Sequence, residues 1–443
     1  MLRVVLWSTD PVGERMAGPG IRYHRLSTEL AQRFAVTLVA PGDGVPGVPY
    51  AFRRVESSAP DAYAEADVVV AQSLPLGLVR SFRRAGARLV FDLYAPALVE
   101  AAANLAEEQE AGRVGYGEVV ATTRVALLLG DGFLCASERQ RDHWLGALAA
   151  LGRVSPDVYA EDPTLRSLVA VVPFGLDPFG LDPSGVGAAP RVGGVLPGIA
   201  ASDRLLLWGG GIWNWLDPLT VIRAVGRLAE RRSDVKLLFL GLAHPSSAVG
   251  AMSMADRAVA LAGELGLEGS SVFFNRSWVP YDERLDWFAE ADLGVSAHHD
   301  SLEARLAFRT RLLDHVAAGT PVVVTRGDVL ADLVESRGMG RTVGPGDVDG
   351  WVDAVGELLD DARTYTAARK AVAAAQEELA WARVVEPLAE LIERVAASPR
   401  RGSAGRGALL RAGLTLARSS LERRGLRQTV AAASRSVAGG RRR

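Results

Sequence analysis

Short, continuous apolar runs separated by helical stretches recur through the first 180 residues, and this recurrence constrains the fold more than anything else in the chain. The runs are Arg3–Trp7, Val36–Ala40, Asp67–Ala71, Arg88–Asp92, Gly132–Ala136 and Val169–Val172, with helical stretches such as Arg22–Phe34 between them. Runs that do not alternate belong to parallel strands covered on both faces, so the expected class is α/β. The pattern resumes at Leu205–Trp208, Lys236–Gly241, Ser271–Asn275, Leu293–Ala297 and Val322–Val324. A chain of 443 residues favours two domains. Asp177–Ser202 is rich in Pro and Gly and lacks periodicity, as a linker does. The expected organisation is residues 1–180, a linker 181–202, residues 203–380 and a tail 398–443, with a helix 381–397 returning to the first domain.

Hydrophobic residues at 49% with charged residues at 23% describe a soluble globular chain. The single cysteine, Cys135, excludes a disulfide framework and points to a reducing compartment. It lies in an apolar run and reads as a small core residue, not a nucleophile. Leu2–Trp7 ends in a polar loop without a cleavage-type site, so it reads as a first strand and not as a signal peptide. No run is long enough to span a bilayer, and a cytoplasmic location is expected. Lys236 and Lys370 are the only lysines, so phosphate would be met by Arg or by backbone N–H. From Arg400 onward there are twelve Arg and one acid, Glu422, a net +11 against −2 for the whole chain. Leu409, Leu410, Leu414, Leu416 and Leu421 interleave with these arginines. That pattern suits an anionic membrane surface, here the inner face. It lacks the stacking aromatics of a nucleic-acid binder. A merely solvated extension is the plain alternative.

Ligands of open α/β sheets sit beyond the carboxyl ends of the strands, which singles out particular loops. Ser8–His24 contains Gly18-Pro19-Gly20, then Arg22, Tyr23 and His24. Glycine there allows close backbone approach, and Arg22 suits phosphate or carboxylate. Gly-Pro-Gly is equally an ordinary turn. Asp92-Leu93-Tyr94 and Ser137-Glu138 follow later strands. In the second half, Glu303–Val324 reads as loop, helix and buried strand. Leu312, Leu313 and Val316 share a helical face, Thr310 can cap the helix, and Gly319 sits where it stops. A helix start attracts anions, because its first N–H groups lack partners. Arg309 and Arg311 add charge there, and Asp314 offers a carboxylate to a sugar diol about one turn inside. The layout suits a nucleotide diphosphate; an amphipathic αβ unit with solvated arginines accounts for the same residues. His298-His299-Asp300 and Asp347-Val348-Asp349 look metal-like, but Asp347 stands before a helix, where Asp caps.

Arg311–Val323, R-L-L-D-H-V-A-A-G-T-P-V-V, resembles the nucleotide-sugar segment of retaining GT-B glycosyltransferases of the family 4 type. The resemblance covers most of residues 1–397 and implies two Rossmann-like domains facing across a cleft. It extends to Pro173-Phe174-Gly175-Leu176-Asp177, similar to the P-x-G-x-D segment that closes the N-terminal domain. By this resemblance Asp314 replaces the usual Glu that holds the donor ribose, and Arg311 replaces a frequent Lys. The family's Glu-x7-Glu would place its first acid at Leu306; Glu303 is the nearest acid. The family's Arg and Lys for the diphosphate would fall near Gly209–Pro218, and this chain has neither. Trp213 and Trp215 stand there, suited to stack on a base or sugar or to fill the cleft. The implied donor contacts are Gly18, Gly20, Gly210, Gly211, Val279, Glu303, Phe308, Arg309, Thr310, Arg311 and Asp314. Acceptor contacts are expected at Arg22, Tyr23, Asp92 and Tyr94, and catalytic roles at His24, Arg309 and Arg311. The expected activity is retaining transfer of a hexose from a nucleotide sugar to a glycan, lipid-linked or small-molecule acceptor in cell-envelope synthesis. No cofactor and no metal are expected. An epimerase or phosphorylase of the same fold, a natural-product transferase and a non-catalytic nucleotide-sugar binder are the alternatives.

Overall fold

The structure is a computed structural model that describes residues 1–14, 16–55, 65–105, 109–176, 197–242, 253–277, 279, 283–398 and 414, with backbone only for 104, 105 and 109–114. Most of the expected linker, and the basic tail from Pro399 apart from Leu414, lie outside the described residues. The chain forms two compact units. The first holds residues 1–13 and 17–173 with Val385–Ser398; the second holds the described part of Phe174–Val384 with Glu14 and Met16.

The first unit runs β1 (Arg3–Trp7), α1 (Gly18–Leu30), β2 (Ala35–Ala40), β3 (Ala51–Arg54), β4 (Val68–Ala71), α2 (Leu76–Ala85), β5 (Arg88–Asp92), α3 (Ala97–Leu105), α4 (Gln109–Leu129), β6 (Gly132–Cys135), α5 (Glu138–Ala150), α6 (Pro156–Glu161) and β7 (Val169–Val171). Among the described residues its sheet has the order β3-β2-β1-β4-β5-β6-β7, and every pairing is parallel. β4 and β6 are buried along their whole length, the burial that continuous apolar runs predict. β3 is absent from the expected strands because Ala-Phe-Arg-Arg has no apolar run. It is an edge strand, where charged side chains protect the open ladder.

The second unit runs β8 (Arg204–Trp208), α7 (Pro218–Ala229), β9 (Val235–Phe239), α8 (Ser253–Glu264), β10 (Val272–Phe274), α9 (Arg284–Ala289), β11 (Leu293–Ser296), α10 (Leu302–Leu306), α11 (Arg311–Ala317), β12 (Val322–Thr325), α12 (Val329–Arg337), β13 (Gly340–Val343), α13 (Val348–Asp360), α14 (Ala362–Glu378) and α15 (Trp381–Val384). Its parallel sheet, among the described residues, has the order β10-β9-β8-β11-β12-β13. β13, Gly-Arg-Thr-Val, was invisible in sequence for the same reason as β3; it too is an edge.

The helix expected over 381–397 is two helices. Pro387 stands in the first turn of α16 (Glu386–Ala397), where its missing N–H costs nothing but where an incoming helix cannot continue. α16 packs on the first sheet. A Cβ at Gly132 would meet Val395 at 3.1 Å and Leu391 at 3.2 Å, so glycine lets β6 approach the helix. Arg33 forms a bidentate pair with Glu393 at 2.8 Å for each bond, and Arg88 donates to the Val395 and Ser398 carbonyls at the helix end. No helix among the described residues is long and apolar enough to cross a membrane.

Candidate functional site

In each sheet the strand order reverses at one point, which is where a crevice opens beyond the strand ends. In the second unit that point lies between β8 and β11. Trp208 ends β8, and Gly209-Gly210-Gly211 turns away from the sheet, with Gly210 at φ +78°. A Cβ on Gly209 would lie 2.6 Å from the Phe288 ring of α9, so the loop seats directly on that helix. Arg311, in the first turn of α11, reaches back to this loop. Its Nη1 donates to the Gly209 carbonyl at 3.1 Å and to the Gly211 carbonyl at 2.8 Å, and its guanidinium lies 5.6 Å from the centre of the Trp208 ring. Desolvation, with help from nearby Arg309, brings the Arg311 pKa down to about 9. The group is charged at neutral pH.

Asp314 follows one turn later, its side chain 30% exposed. Arg284, the first residue of α9, donates from Nε to Asp314 Oδ1 at 3.2 Å. Burial pushes the Asp314 carboxyl above the usual range, and Arg284 opposes that push. Thr310 does not cap α11, contrary to expectation: it is itself in helical conformation and makes no side-chain cap bond. α11 has only seven residues, so its dipole offers an anion less than a long helix would. Gly319, at φ +73°, stands just past the helix end as expected.

Two other candidates here are internal, which corrects their expected roles. Arg309 is 6% and Glu303 1% exposed, and they form a bidentate pair at 2.9 and 2.7 Å. Arg309 Nε lies 3.7 Å from Asp328, whose other oxygen caps α12 at Ala331 N. Asp328 Oδ2 is also 3.5 Å from His298 Nε2. A buried run Glu303–Arg309–Asp328–His298 results. A charge in that setting persists only when paired, and in this structure both side chains are spent on that pairing. Phe308, Thr310 and Val279 are half-buried, and Val279 packs on the apolar cluster around Leu205 and Phe288. Trp213 and Trp215 stack on each other, 5.1 Å apart and 7° from parallel. Asp347 caps α13 as expected, and Asp349 pairs with Arg227.

In the first unit the Gly-Pro-Gly turn is not a loop. Gly18 and Gly20 open α1, with Pro19 in its first turn. Arg22 is therefore helical and fully buried. It donates to Asp92 from Nε at 2.7 Å and Nη2 at 3.2 Å, and to the carbonyls of Pro173 at 3.0 Å and Val172 at 2.9 Å. With its donors so engaged, Arg22 is a structural tie between α1, β5 and the end of β7, and not an acceptor contact. Asp92 is buried and held by Arg22, yet it also lines the cavity beside Tyr94, and Tyr23 is fully buried in the core. His24 is 6% exposed with Nδ1 2.8 Å from Tyr50 Oη, and burial, with nearby Arg25, lowers its pKa to about 4. It is a neutral interior imidazole rather than a surface catalyst. Cys135 is a core residue, its thiol pushed up to about 12 by burial.

Tyr94 remains accessible. Its ring lies 4.9 Å from the Arg22 guanidinium, and it lines a cavity of about 420 Å³ at the crevice beyond β1, β4 and β5. Thr9, Gln72 and Ser73 come from the ends of β1 and β4, Glu118 and Thr122 from α4, and Trp144 from α5. The volume suits one small ligand.

Solved structures share this fold. Sucrose-phosphate synthase from Thermosynechococcus elongatus superposes with a TM-score of 0.62 at 15% identity, covering 90% of this chain and 100% of that one. HepE of Anabaena, solved with UDP-glucose, gives 0.60 at 15% identity over 89% of this chain and 100% of its own. WaaG, a glycosyltransferase of lipopolysaccharide biosynthesis, gives 0.57 at 16% identity over 88% and 99%. The fold is that of the GT-B glycosyltransferases. Residues 203–361 of this GT-B chain match the family described as Glycosyl transferases group 1. That segment carries the Gly209–Gly211 loop, Arg284, Arg311 and Asp314. The D-inositol 3-phosphate glycosyltransferase of Corynebacterium urealyticum is 27% identical over 210 residues, 47% of each chain. That of Nocardia farcinica is 26% identical over 57% of this chain and 52% of its own. The chain thus spans about half the length of the curated relatives it matches.

Arg284 was missed by sequence reasoning. It lies 30 residues before its partner, on another helix, and no periodicity or motif connects the two. The Asp328–His298 link was missed for the same reason.

Proposed function

We propose that the protein is a glycosyltransferase that moves a hexose from a nucleotide sugar to an acceptor hydroxyl with retention of configuration. The observation that carries this reading is the convergence of the Gly209–Gly211 loop, Arg311, Asp314 and Arg284 at the switch point of the second sheet, inside the group 1 segment. Asp314 takes the ribose hydroxyls. The loop N–H groups and the Arg311 charge face the diphosphate, whose negative charge grows as the sugar carbon leaves it; preorganised donors stabilise such a charge without reorganising. The acceptor hydroxyl bonds to that carbon and gives up its proton, so the products are a glycoside, a nucleoside diphosphate and a proton. The acceptor, a glycan, glycolipid precursor or small polyol, enters the Tyr94 cavity of the first unit. Because cationic side chains and N–H groups answer the leaving charge, no metal is required in this reading.

Asp314→Ala is expected to weaken nucleoside diphosphate binding by about 1.5–3 kcal/mol, the worth of hydrogen bonds to a charged group. Calorimetric titration with UDP, GDP and TDP measures it, and an unchanged affinity removes the ribose assignment. Sugar transfer by the wild type should persist in excess EDTA; loss restored by Mg2+ overturns the metal-free reading. A nucleotide-sugar binder without transfer is the second reading, favoured by the sequestered Glu303, and the same assay distinguishes it.

The basic stretch from Arg400, outside the described residues, is proposed to draw the protein to anionic membrane at the inner face. Each Arg near such a surface contributes roughly 1 kcal/mol. The protein should sediment with phosphatidylserine vesicles at low salt. Replacing the tail arginines by Gln should abolish this; undiminished sedimentation rules the tail out.

A further inference from the structure

The donor reading leaves Arg284 unexplained, yet it is the side chain that touches Asp314. The pair sits at the surface of the site, not in the core, with side chains 17% and 30% exposed. Three features give it meaning. Asp314 has a short side chain, and the donor to its Oδ1 comes from another helix, α9. α9 is tied to the same site by a side chain: the Phe288 ring packs beneath Gly209 and edge-on against His315, with ring centres 4.6 Å apart. The helix that carries Arg284 is thus packed against both the glycine loop and α11. Finally, the bond to Arg284 occupies only part of the acceptor capacity of Oδ1, which leaves the carboxylate able to accept from two neighbouring hydroxyls.

We infer that Arg284 is a positioning residue: it holds the Asp314 carboxylate charged and aimed at the vicinal 2′- and 3′-hydroxyls of a ribose, so that the site takes ribonucleoside rather than 2′-deoxyribonucleoside diphosphate sugars. This rests on the donor reading above. The electrostatics agree with the geometry. The charged and titratable groups on elements packed against α11 include Arg284 and Asp286 on α9 and Arg369 on α14, with Arg311 and His315 on α11 itself. Of these, Arg284 is the one that lowers the Asp314 pKa, which burial raises. Arg311 keeps its charge up to about pH 9, and burial keeps His315 neutral down to about pH 3. Asp314 is therefore the group on this side of the site whose protonation contributes to the acid limb of binding. Without Arg284 its proton is lost at higher pH, and the acid limb moves up.

The test is titration calorimetry of the full-length protein with UDP and with 2′-deoxy-UDP, across pH, for wild type, Arg284→Gln and Arg284→Lys. The wild type should prefer UDP by at least roughly tenfold, the loss of one hydrogen bond to a charged group. Arg284→Gln should reduce that preference to within about threefold, by the same arithmetic, and shift the acid limb to higher pH. Arg284→Lys should keep the acid limb near the wild-type position, since the charge is retained. Thermal midpoints control for folding, and a general loss of structure would not change the ratio of the two ligands. Equal wild-type affinity for the two ligands overturns the inference, as does binding of TDP alone. An Arg284→Gln variant with the wild-type ratio and acid limb overturns the role of Arg284 while the donor reading stands. If no nucleoside diphosphate binds the wild type, the donor reading falls and the inference with it.

Discussion

Arg309→Leu is expected to destabilise the second unit by about 3–5 kcal/mol, the usual cost of removing one partner of a buried ion pair. Glu303, 1% exposed, would lose both bonds of its bidentate pair and be left without that cation in an apolar setting. Asp328 would lose the cation that most opposes the rise of its pKa on burial, keeping His298 at 3.5 Å. Denaturant unfolding followed by tryptophan fluorescence measures the loss. Replacing both partners, Glu303→Leu with Arg309→Leu, should recover much of it, because an apolar pair leaves no charge stranded. A folded Arg309→Leu protein of wild-type stability with abolished transfer would contradict this and return Arg309 to the catalytic role the sequence suggested.

Asp92→Ala should cost the first unit a similar amount, about 3–5 kcal/mol. Arg22 has no exposed surface, and among the described residues Asp92 is the negative charge bonded to it; the Val172 and Pro173 carbonyls would be left to hold a full charge. Tyr94→Phe is the matching control. It removes one hydroxyl from the cavity wall and leaves the Arg22–Asp92 pair intact, so stability should change little while acceptor affinity falls. Unfolding curves of both variants decide the matter. An Asp92→Ala protein as stable as the wild type would mean that the pair is not what holds α1 to β5.

The two outcomes bear on how site residues are read from sequence. Arg22 and Asp92 were selected because charged residues beyond strand ends often meet ligands, Arg309 because a helix start attracts anions, and Glu303 by the family resemblance. The selection placed Asp92 at the end of β5, where the structure has it. It could not distinguish a charge facing a ligand from a charge facing another charge, since that depends on whether a partner 70 positions away, as Asp92 is from Arg22, arrives at bonding distance. Asp314 and Arg311 were expected on one short helix, where sequence separation sets geometry, and the structure has both on α11. Their own partners, Arg284 and the Gly209 and Gly211 carbonyls, come from other elements.

The sequence alone determined the parallel α/β class, most strands to within a residue or two, the core place of Cys135, the cap at Asp347 and the end of α11 at Gly319. Each follows from local physics: continuous apolar runs, capping side chains, a glycine that tolerates positive φ. It missed β3 and β13, because edge strands need no apolar run, and it placed Gly18 and Gly20 in a loop although Pro19 can equally begin a helix. Only the tertiary structure decided which charges are spent internally. Burying an ion demands a partner of opposite sign, and that partner is brought by the sheet order and helix packing, not by the neighbouring residues in the chain.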